Sequence, residues 1–320
     1  MATLNLASAA SFQDYYREYS EDFFERTFYG FKSAQLFNTL EVKDELILPE
    51  LVIGEDLAKR WNATFSGATN KATWTQRKLK TAHNKIEWQF CPTEYENANY
   101  LAMLRKKGQD PADFPFEAYI LMRLMAKLKS EMEKATHQGE AAASPSSADL
   151  LRETIDGTLT IIADAITATT ITPVVTGSVT ASNIIAKLRL MWDEVDEAEK
   201  DEGRMGIFLN YAQYEMYARA MWDTYHQSPT VQNIANTNYT GYRYELGGES
   251  VMLVPIHGMT GKNRIIITPP ENIAIGIDGA EDVQLYTKQS HWNIDIFGAF
   301  RMGVQIRNLD EGILVVNDQV

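Results

Sequence analysis

The stretch Ile265-Ile-Ile-Thr-Pro-Pro-Glu-Asn-Ile-Ala-Ile-Gly-Ile-Asp278 reads as strand, stop, strand. Consecutive β-branched residues fit a buried strand. Pro269 and Pro270 end it, because proline cannot donate to a ladder. Apolar residues resume at Ile273, so Asn272 to Ile277 is the second strand. More strands follow at Val283 to Lys288, His291 to Phe300, Met302 to Arg307 and Ile313 to Val316. The alternation in His291 to Ile296 and Val304 to Ile306 suits a sheet with one exposed face. Upstream, Tyr242 to Leu246 and Ser250 to Ile256 flank Gly247 and Gly248, and Arg264 to Thr268 precedes the prolines. The C-terminal third is therefore predicted to be largely β.

Before it the period changes to helical. Ile184, Ile185, Leu188, Met191, Trp192 and Val195 form one apolar face, so a helix is expected from a Ser182 cap to Lys200, stopped by Gly203. Met205 to Leu209 is a short buried strand, and Asn210 caps a second helix from Tyr211 to about His226. A short helix is expected around Ile161 to Ile166, after a flexible connection from Glu140 to Ala148. The clearest helix runs from Phe114 to Gln138. Phe116, Ile120, Leu121, Leu124, Met125, Leu128 and Met132 make its broad face, while Lys127, Lys129, Glu131, Glu133 and Lys134 are expected to face away. Its 25 residues span roughly 38 Å at 1.5 Å per residue, enough for the spine of an elongated subunit. There is no βαβ series and no internal repeat, so the class is α+β.

The N-terminal quarter holds the residues with most to say about partners. Phe12, Tyr16, Tyr19 and Phe23 recur at helical spacing within Phe12 to Phe31, an amphipathic helix with an aromatic face. That face packs on the chain's own core or docks on a neighbour. Leu36 to Ile53 is a short strand or connector punctuated by Pro49, and Leu57 to Phe65 a short helix. Lys71 to Phe90 reads as two alternating strands turning at His83 and Asn84, an exposed hairpin. From Lys59 to Trp88 seven basic residues face the single Glu87. The segment carries +6, leaving −19 for the rest of a chain whose net charge is −13. A basic extension on an acidic body points to contact with another copy, since such pairing sets encounter and register. Trp74, Arg77, Lys78, Lys80, Lys85 and Trp88 are the candidate contact residues, with Phe12, Tyr16, Tyr19 and Phe23 of the helix before them. A solvated hairpin and a nucleic-acid surface are the alternatives.

Catalytic and metal motifs are missing from the sequence. Gly258-Met-Thr-Gly261-Lys262-Asn263 is too short for a phosphate loop and reads as a turn. The five histidines have no zinc-site spacing, and His137 with Glu140 straddles a helix end, a poor metal scaffold. The acidic run from Asp193 to Glu202 lacks the spacing of a calcium loop. Cys91 is the only cysteine, which excludes an internal disulfide. No apolar run reaches the length of a membrane span, and the first ten residues lack signal-peptide features. The expectation is a soluble protein made in the cytoplasm, with no catalytic residue, no cofactor and no metal. An overall acidic chain is not built to neutralise phosphates, although it can enclose DNA without gripping it.

The order of elements, the stretch 265–278, and the closing pair His291-Trp-Asn-Ile-Asp-Ile-Phe-Gly-Ala-Phe-Arg-Met-Gly-Val-Gln-Ile306 resemble the major capsid proteins of tailed double-stranded DNA bacteriophages, the Hong Kong 97-type fold. The resemblance implies an α+β subunit with an N-terminal arm, an extended β-hairpin loop, a long spine helix, and peripheral and axial domains. Residues 1–50 would be arm and connector, 51–95 the extended loop, 96–150 the peripheral domain with its spine helix, 151–275 the axial domain, and 276–320 the return to the peripheral domain. It also implies a structural role. Pentamers and hexamers would build an icosahedral shell around the phage genome, and the chain would reside in the virion after synthesis in the host bacterial cytoplasm. The implied partners are many copies of the chain, a separate scaffolding protein, a portal at one vertex and non-specifically contacted double-stranded DNA, with no membrane. Some members crosslink Lys to Asn. Lys78, Lys80 and Lys85 lie in the corresponding region, without an identified acid or Asn partner. An α+β enzyme of hydrolase type, or another phage structural protein such as a tail tube or decoration protein, is the alternative.

Overall fold

The computed structural model describes residues 14, 26–53, 61, 72–91, 116–142, 150–233, 240–244, 251–278 and 284–319. In chain order, helix α1 (Lys32–Leu36) leads into strands β1 (Asn38–Glu41), β2 (Glu45–Ile53), β3 (Ala72–Lys80) and β4 (Ala82–Phe90). Helices α2 (Phe116–Gln138), α3 (Thr158–Thr167), α4 (Ile184–Asp193) and α5 (Glu197–Glu202) follow, then β5 (Gly206–Leu209) and α6 (Tyr211–Tyr225). The rest is mainly strand: β6 (Val231–Asn233), β7 (Thr240–Arg243), β8 (Met252–Pro255), β9 (Ile266–Thr268), β10 (Ile273–Ile277), β11 (Gln284–Ser290), β12 (Asn293–Ile306) and β13 (Val315–Val316).

The stretch 265–278 is where the chain crosses between two sheets. β9 lies in a six-stranded sheet of order β13-β9-β5-β8-β7-β6. β10 lies in a five-stranded sheet of order β1-β10-β12-β11, with β4 also paired to β12. Between them Pro270–Asn272 forms one 3-10 turn. Asn272 pins the crossing. Its Nδ2 donates to Thr268 Oγ1 (3.0 Å) and to the Asn308 carbonyl (2.9 Å), and its Oδ1 accepts from Asn308 N–H (2.7 Å).

Strands β13, β9, β5 and most of β8 in the six-stranded sheet are buried on both faces, which explains why they read as unbroken apolar runs. Phe208, Val254, Ile266 and Val316 point into one core, shared with β12 and α2. Their neighbours Ile207, Leu209, Leu253, Ile267 and Val315 point into a second, under α4 and α6. The period of two along a strand thus divides one sheet between two lobes. From α2, Ile120, Leu121, Leu128 and Met132 of the predicted apolar face are buried in the first core, with Leu124 and Met125 partly buried against it, and Ala135 joins them. Its 23 residues span roughly 35 Å. The cap predicted at Asn210 is present, and the structure makes it a capping box: Oδ1 accepts from Gln213 N–H, and the Gln213 side chain accepts from Asn210 N–H.

Four expectations are corrected. The segment 71–90 is not a hairpin. β3 pairs with β2, Glu45 opposite Lys80 and Ile53 opposite Ala72, whereas β4 pairs with β12. Asn84, read as a turn residue, is buried in mid-strand. It is satisfied there because Oδ1 accepts from Thr154 Oγ1 (2.6 Å) and Nδ2 donates to the Ala82 carbonyl (2.9 Å). Second, the helix expected over 182–200 breaks at Val195. That side chain is buried, and the following Asp196 N–H leaves the helical ladder to donate to Gly312 O (3.2 Å). Asn183, not Ser182, holds the N-cap position, and its side chain serves the preceding turn. Third, 291–300 and 302–307 form one strand, β12, rather than two. Fourth, Glu133 does not face away: it is 4% exposed. The helix expected over 57–65 lies outside the described residues, apart from Trp61.

Candidate assembly surfaces

Strands β2 and β3 form the hairpin that the sequence placed one strand too late. Opposed residues share a face, so Leu46, Leu48, Arg77 and Leu79 lie on one side, and Glu45, Ile47, Gln76, Lys78 and Lys80 on the other. The first side faces the body except at Leu46, which is exposed. Leu79 is fully buried with Leu48, Val42 and Ala274 in a small core of its own. Arg77 Nη2 donates to Gln305 Oε1 (2.8 Å) on β12. Where the chain passes from β3 to β4, the glycine pair Gly276 and Gly303 leaves room for it. A Cβ on Gly303 would strike the Lys80 carbonyl. The second side is exposed. Lys78 Nζ meets Glu45 Oε1 at 2.5 Å, and Ile47 and Lys80 are open to solvent beside it. The Lys78 ammonium bonded to Glu45 holds that carboxyl below its ordinary range, with Lys80 acting in the same direction.

The other predicted contact residues fall elsewhere. Lys85 is not on the hairpin but on the outer face of β4, 3.1 Å from Glu87. Trp88 is half-buried and stacks on Phe90 with centroids 4.9 Å apart, so it is largely a packing residue. Trp74 is on β3 opposite Leu51, in the outer part of the hairpin. Phe12, Tyr16, Tyr19 and Phe23 lie outside the described residues. The structure thus brings Lys78 and Lys80 together and separates Lys85 and Trp88 from them.

Opposite in charge is the α4–α5 junction. Asp193, Glu194, Asp196, Glu197, Asp201 and Glu202 are all exposed there. Lys200 is occupied over the Trp192 ring, 5.8 Å from its centroid, and Arg204 lies 3.6 Å from Glu202. The excess is acidic, as the sequence predicted for this stretch.

Two exposed apolar features were missed. On the sheet, Tyr286 of β11 stacks on Phe297 of β12 with centroids 5.9 Å apart, and Trp292 at the intervening turn is 80% exposed. The alternation in 291–296 could have shown Phe297 as outward, but the partner Tyr286 needs the register. Between α4 and α6 an open groove of about 760 Å³ is lined by Ile185, Arg189, Leu190, Asp193, Ala220 and Asp223. Trp222 and Tyr225 are exposed on the same helix pair.

Buried ionisable groups form a separate cluster. Ser33 donates from N–H to Glu133 Oε2 (3.0 Å) and from Oγ to Oε1 (2.9 Å). His137 Nε2 lies 2.8 Å from the same Oγ, and its Nδ1 is 2.9 Å from Thr158 Oγ1. Burial raises Glu133 above the usual carboxylate range against the opposing pull of Ser33 and Lys32. Burial also lowers His137 to about 3, which keeps the imidazole neutral. Lys32 is lowered to about 8 by burial, countered by Glu133, and donates to the Pro255 carbonyl (2.6 Å). Glu140 is exposed and takes no part. Among the described residues no group of three or more His, Cys, Asp or Glu is placed to hold a metal ion. None of their helices is long and apolar enough to cross a membrane.

No protein-family model matches the sequence, and no curated protein matches it either. Solved structures do match the fold. A chain of the satellite phage P4 procapsid including the size determination (Sid) protein aligns over 94% of this chain and 98% of its own, at TM-score 0.55 and 10% identity. The virus-like particle from Pyrococcus furiosus aligns over 95% of this chain and 100% of its own, at TM-score 0.51 and 10% identity. The capsid of cyanophage A-1(L) aligns over 89% and 90%, at TM-score 0.58 and 11% identity. What these chains share at such low identity is the path of the backbone, and the protein has the Hong Kong 97-type capsid fold.

Proposed function

We propose that this chain is a shell subunit, the major capsid protein of a tailed bacteriophage, and that its activity is assembly rather than catalysis. The observation that carries the reading is whole-chain agreement in fold with subunits of a procapsid and a virus-like particle, at 94–95% coverage of this chain and 98–100% of theirs. Five-fold and six-fold rings of the chain build an icosahedral shell around double-stranded DNA. Each contact is weak, but repetition in a closed symmetric array makes the whole stable. The lobe of α4, α5, α6 and the six-stranded sheet is the axial domain. The spine helix with the five-stranded sheet is the peripheral domain, and the residues before β2 supply the arm and connector. The extended loop is the β2–β3 hairpin, residues 45–80, whose Lys78 and Lys80 face meets acidic surface on a neighbouring copy. A separate scaffolding protein and a portal are the further partners, and the virion is the location.

Cryo-electron microscopy of the purified chain, alone and with a candidate scaffolding protein, tests this. Closed shells or rings of five and six subunits are expected. Stacked six-fold tubes would identify a tail tube instead. A uniform monomer in both samples would overturn the shell reading.

A further inference from the structure

Glu133, Ser33, His137 and Thr158 form an unbroken string of polar side chains inside the first core, and all four are buried. The string joins three elements. Ser33 belongs to α1, Glu133 and His137 lie one turn apart on the spine helix α2, and Thr158 begins α3. The 3-10 turn His257–Met259 closes over it, with Gly258 so near that a Cβ there would strike the Glu133 carbonyl and the His137 ring. The charged and titratable groups facing it are few. Lys32 comes from α1 and acts on Glu133. Tyr211 comes from α6, its ring under the Lys32 ammonium at 5.8 Å, and burial, then Tyr242 and Glu133, raise its hydroxyl above the ordinary tyrosine value. His257, in the turn, is exposed and directed to Ser130 Oγ at 3.4 Å. α3 contributes only the hydroxyl of Thr158.

Each inner member of this string can both give and accept a hydrogen bond. A neutral imidazole donates from one nitrogen and accepts at the other, and a hydroxyl does both. The same heavy-atom positions therefore admit two directions. In the first, Thr158 O–H donates to His137 Nδ1, His137 Nε2–H to Ser33 Oγ, and Ser33 O–H to the Glu133 carboxylate. In the second, protonated Glu133 donates to Ser33 Oγ, Ser33 O–H to His137 Nε2, and His137 Nδ1–H to Thr158 Oγ1. The second state holds one more proton, taken from water and carried on Glu133. The hydroxyls keep one proton each, and the imidazole is neutral in both. Ser33 N–H donates to Glu133 Oε2 throughout.

We propose that this string is a reversible proton latch that keeps α1 seated on the spine helix in either charge state of Glu133, and reports that state as the tautomer of His137. Burial, which raises Glu133 and keeps His137 neutral, places the change at Glu133 above the ordinary carboxylate range. The consequence is that the segment carrying Phe31, Ala34 and Phe37 into the core need not be released when its buried carboxylate takes up a proton. The latch concerns the interior of one chain and does not depend on what the chain assembles into.

The test is the His137 ring nitrogen spectrum, read by solid-state nuclear magnetic resonance on sedimented full-length protein labelled at histidine. His83, His226, His257 and His291, all exposed, are each replaced by Asn to leave one signal. The Nε2–H tautomer is expected to dominate at pH 9.5 and the Nδ1–H tautomer at pH 4.5, through a single midpoint above 4.5, the ordinary carboxylate value. Glu133→Gln mimics the protonated acid, because its amide can only donate to Ser33 Oγ while its carbonyl keeps Ser33 N–H. It is expected to hold Nδ1–H at every pH. Ser33→Ala removes the coupling atom and should leave one tautomer throughout. One unchanging tautomer in the parent, titration of Glu133→Gln like the parent, or an imidazolium at pH 4.5 would each overturn the latch. If Glu133→Gln does not fold, the parent titration and Ser33→Ala decide.

Discussion

Arg77 and Gln305 bind across the base of the hairpin: the guanidinium Nη2 donates to Gln305 Oε1 at 2.8 Å, and the amide of the same Gln305 donates to the Lys78 carbonyl at 2.9 Å. One side chain on β12 thus holds both a side chain and a backbone group of β3. The rest of the hairpin is secured at this end by Leu79 and Leu48. Gln305→Leu keeps the side-chain size but leaves the guanidinium without this acceptor, at a cost of about 1–3 kcal/mol. Hydrogen exchange is expected to accelerate in β2 and β3 and to remain unchanged in β5 and β9. Uniform acceleration across both sheets would place the role of Gln305 in global stability instead.

The charge on the hairpin can be separated from charge on the body. Lys78 and Lys80 lie together on its exposed face, whereas Lys85 is on β4 and paired with Glu87. Lys78→Glu with Lys80→Glu should leave thermal stability nearly unchanged, because exposed ion pairs contribute little. The same double change should abolish closed shells by repulsion from the acidic neighbour. Lys85→Glu alone should assemble nearly as the parent does. Counting closed particles by electron microscopy distinguishes the two, and normal shells from the double variant would remove the hairpin charge from the assembly mechanism.

Legibility in the sequence followed the range of the interactions. Periods of two and 3.6 gave the spine helix and the succession of C-terminal strands along the chain, and residue type gave the Asn210 cap, because these depend on neighbours within a few residues. Pairing between distant strands left no such trace. Nothing local says that β3 returns to β2, or that β4 spends its length on β12, since a polar pair such as His83 and Asn84 has the composition of a turn. The break at Val195 depends on Gly312, 117 positions away by numbering, accepting the Asp196 N–H. Glu133 was misplaced for a related reason. A carboxylate on a helix is ordinarily solvated, and it takes Ser33, a hundred residues upstream, with the neighbouring Lys32, to make its burial tolerable. The basic segment was legible as charge, but its division between hairpin and body required the register.

The side-chain carboxylate of Asp318 clasps the loop before α4. Oδ1 accepts from Thr176 N–H (3.0 Å), Thr176 Oγ1 (2.9 Å) and Gly177 N–H (3.1 Å), while Asp318 N–H donates to the Val174 carbonyl (3.0 Å). The hydrogen bond from Gln319, then those from Thr176 and Gly177, lower its pKa to about 2. A carboxyl lowered by folding stabilises the fold above its unfolded value, near 3.8, and the gain disappears as pH falls through about 2. Asp318→Asn should therefore loosen residues 174–177 at pH 7 and at pH 4. The difference from the parent should narrow only as pH approaches 2. Amide exchange at Thr176 and Gly177 across that range checks it, and a difference that vanishes by pH 5 would mean the carboxylate is not the clasp.

Asn272 offers the sharpest test of how the two sheets are joined. Its three side-chain hydrogen bonds go to Thr268 at the end of β9 and to both backbone groups of Asn308, just after β12. The Asn272 backbone carbonyl also accepts from Arg307 N–H at 2.8 Å. Asn272→Ala keeps that backbone bond but removes the side-chain hydrogen bonds to Thr268 and Asn308, at about 0.5–1.5 kcal/mol each. Asn272→Asp is more selective. It still accepts from Asn308 N–H, but turns a carboxylate oxygen toward the Asn308 carbonyl that had received the amide. Asp should thus be at least as destabilising as Ala at pH 7 and recover as the carboxyl is protonated, because the neutral acid can donate where the amide did. Thermal midpoints of both variants between pH 4 and pH 8 separate the cases. If Asp matches the parent at neutral pH, the Nδ2 bond to Asn308 contributes nothing, and the crossing is held by the 3-10 turn and its prolines alone.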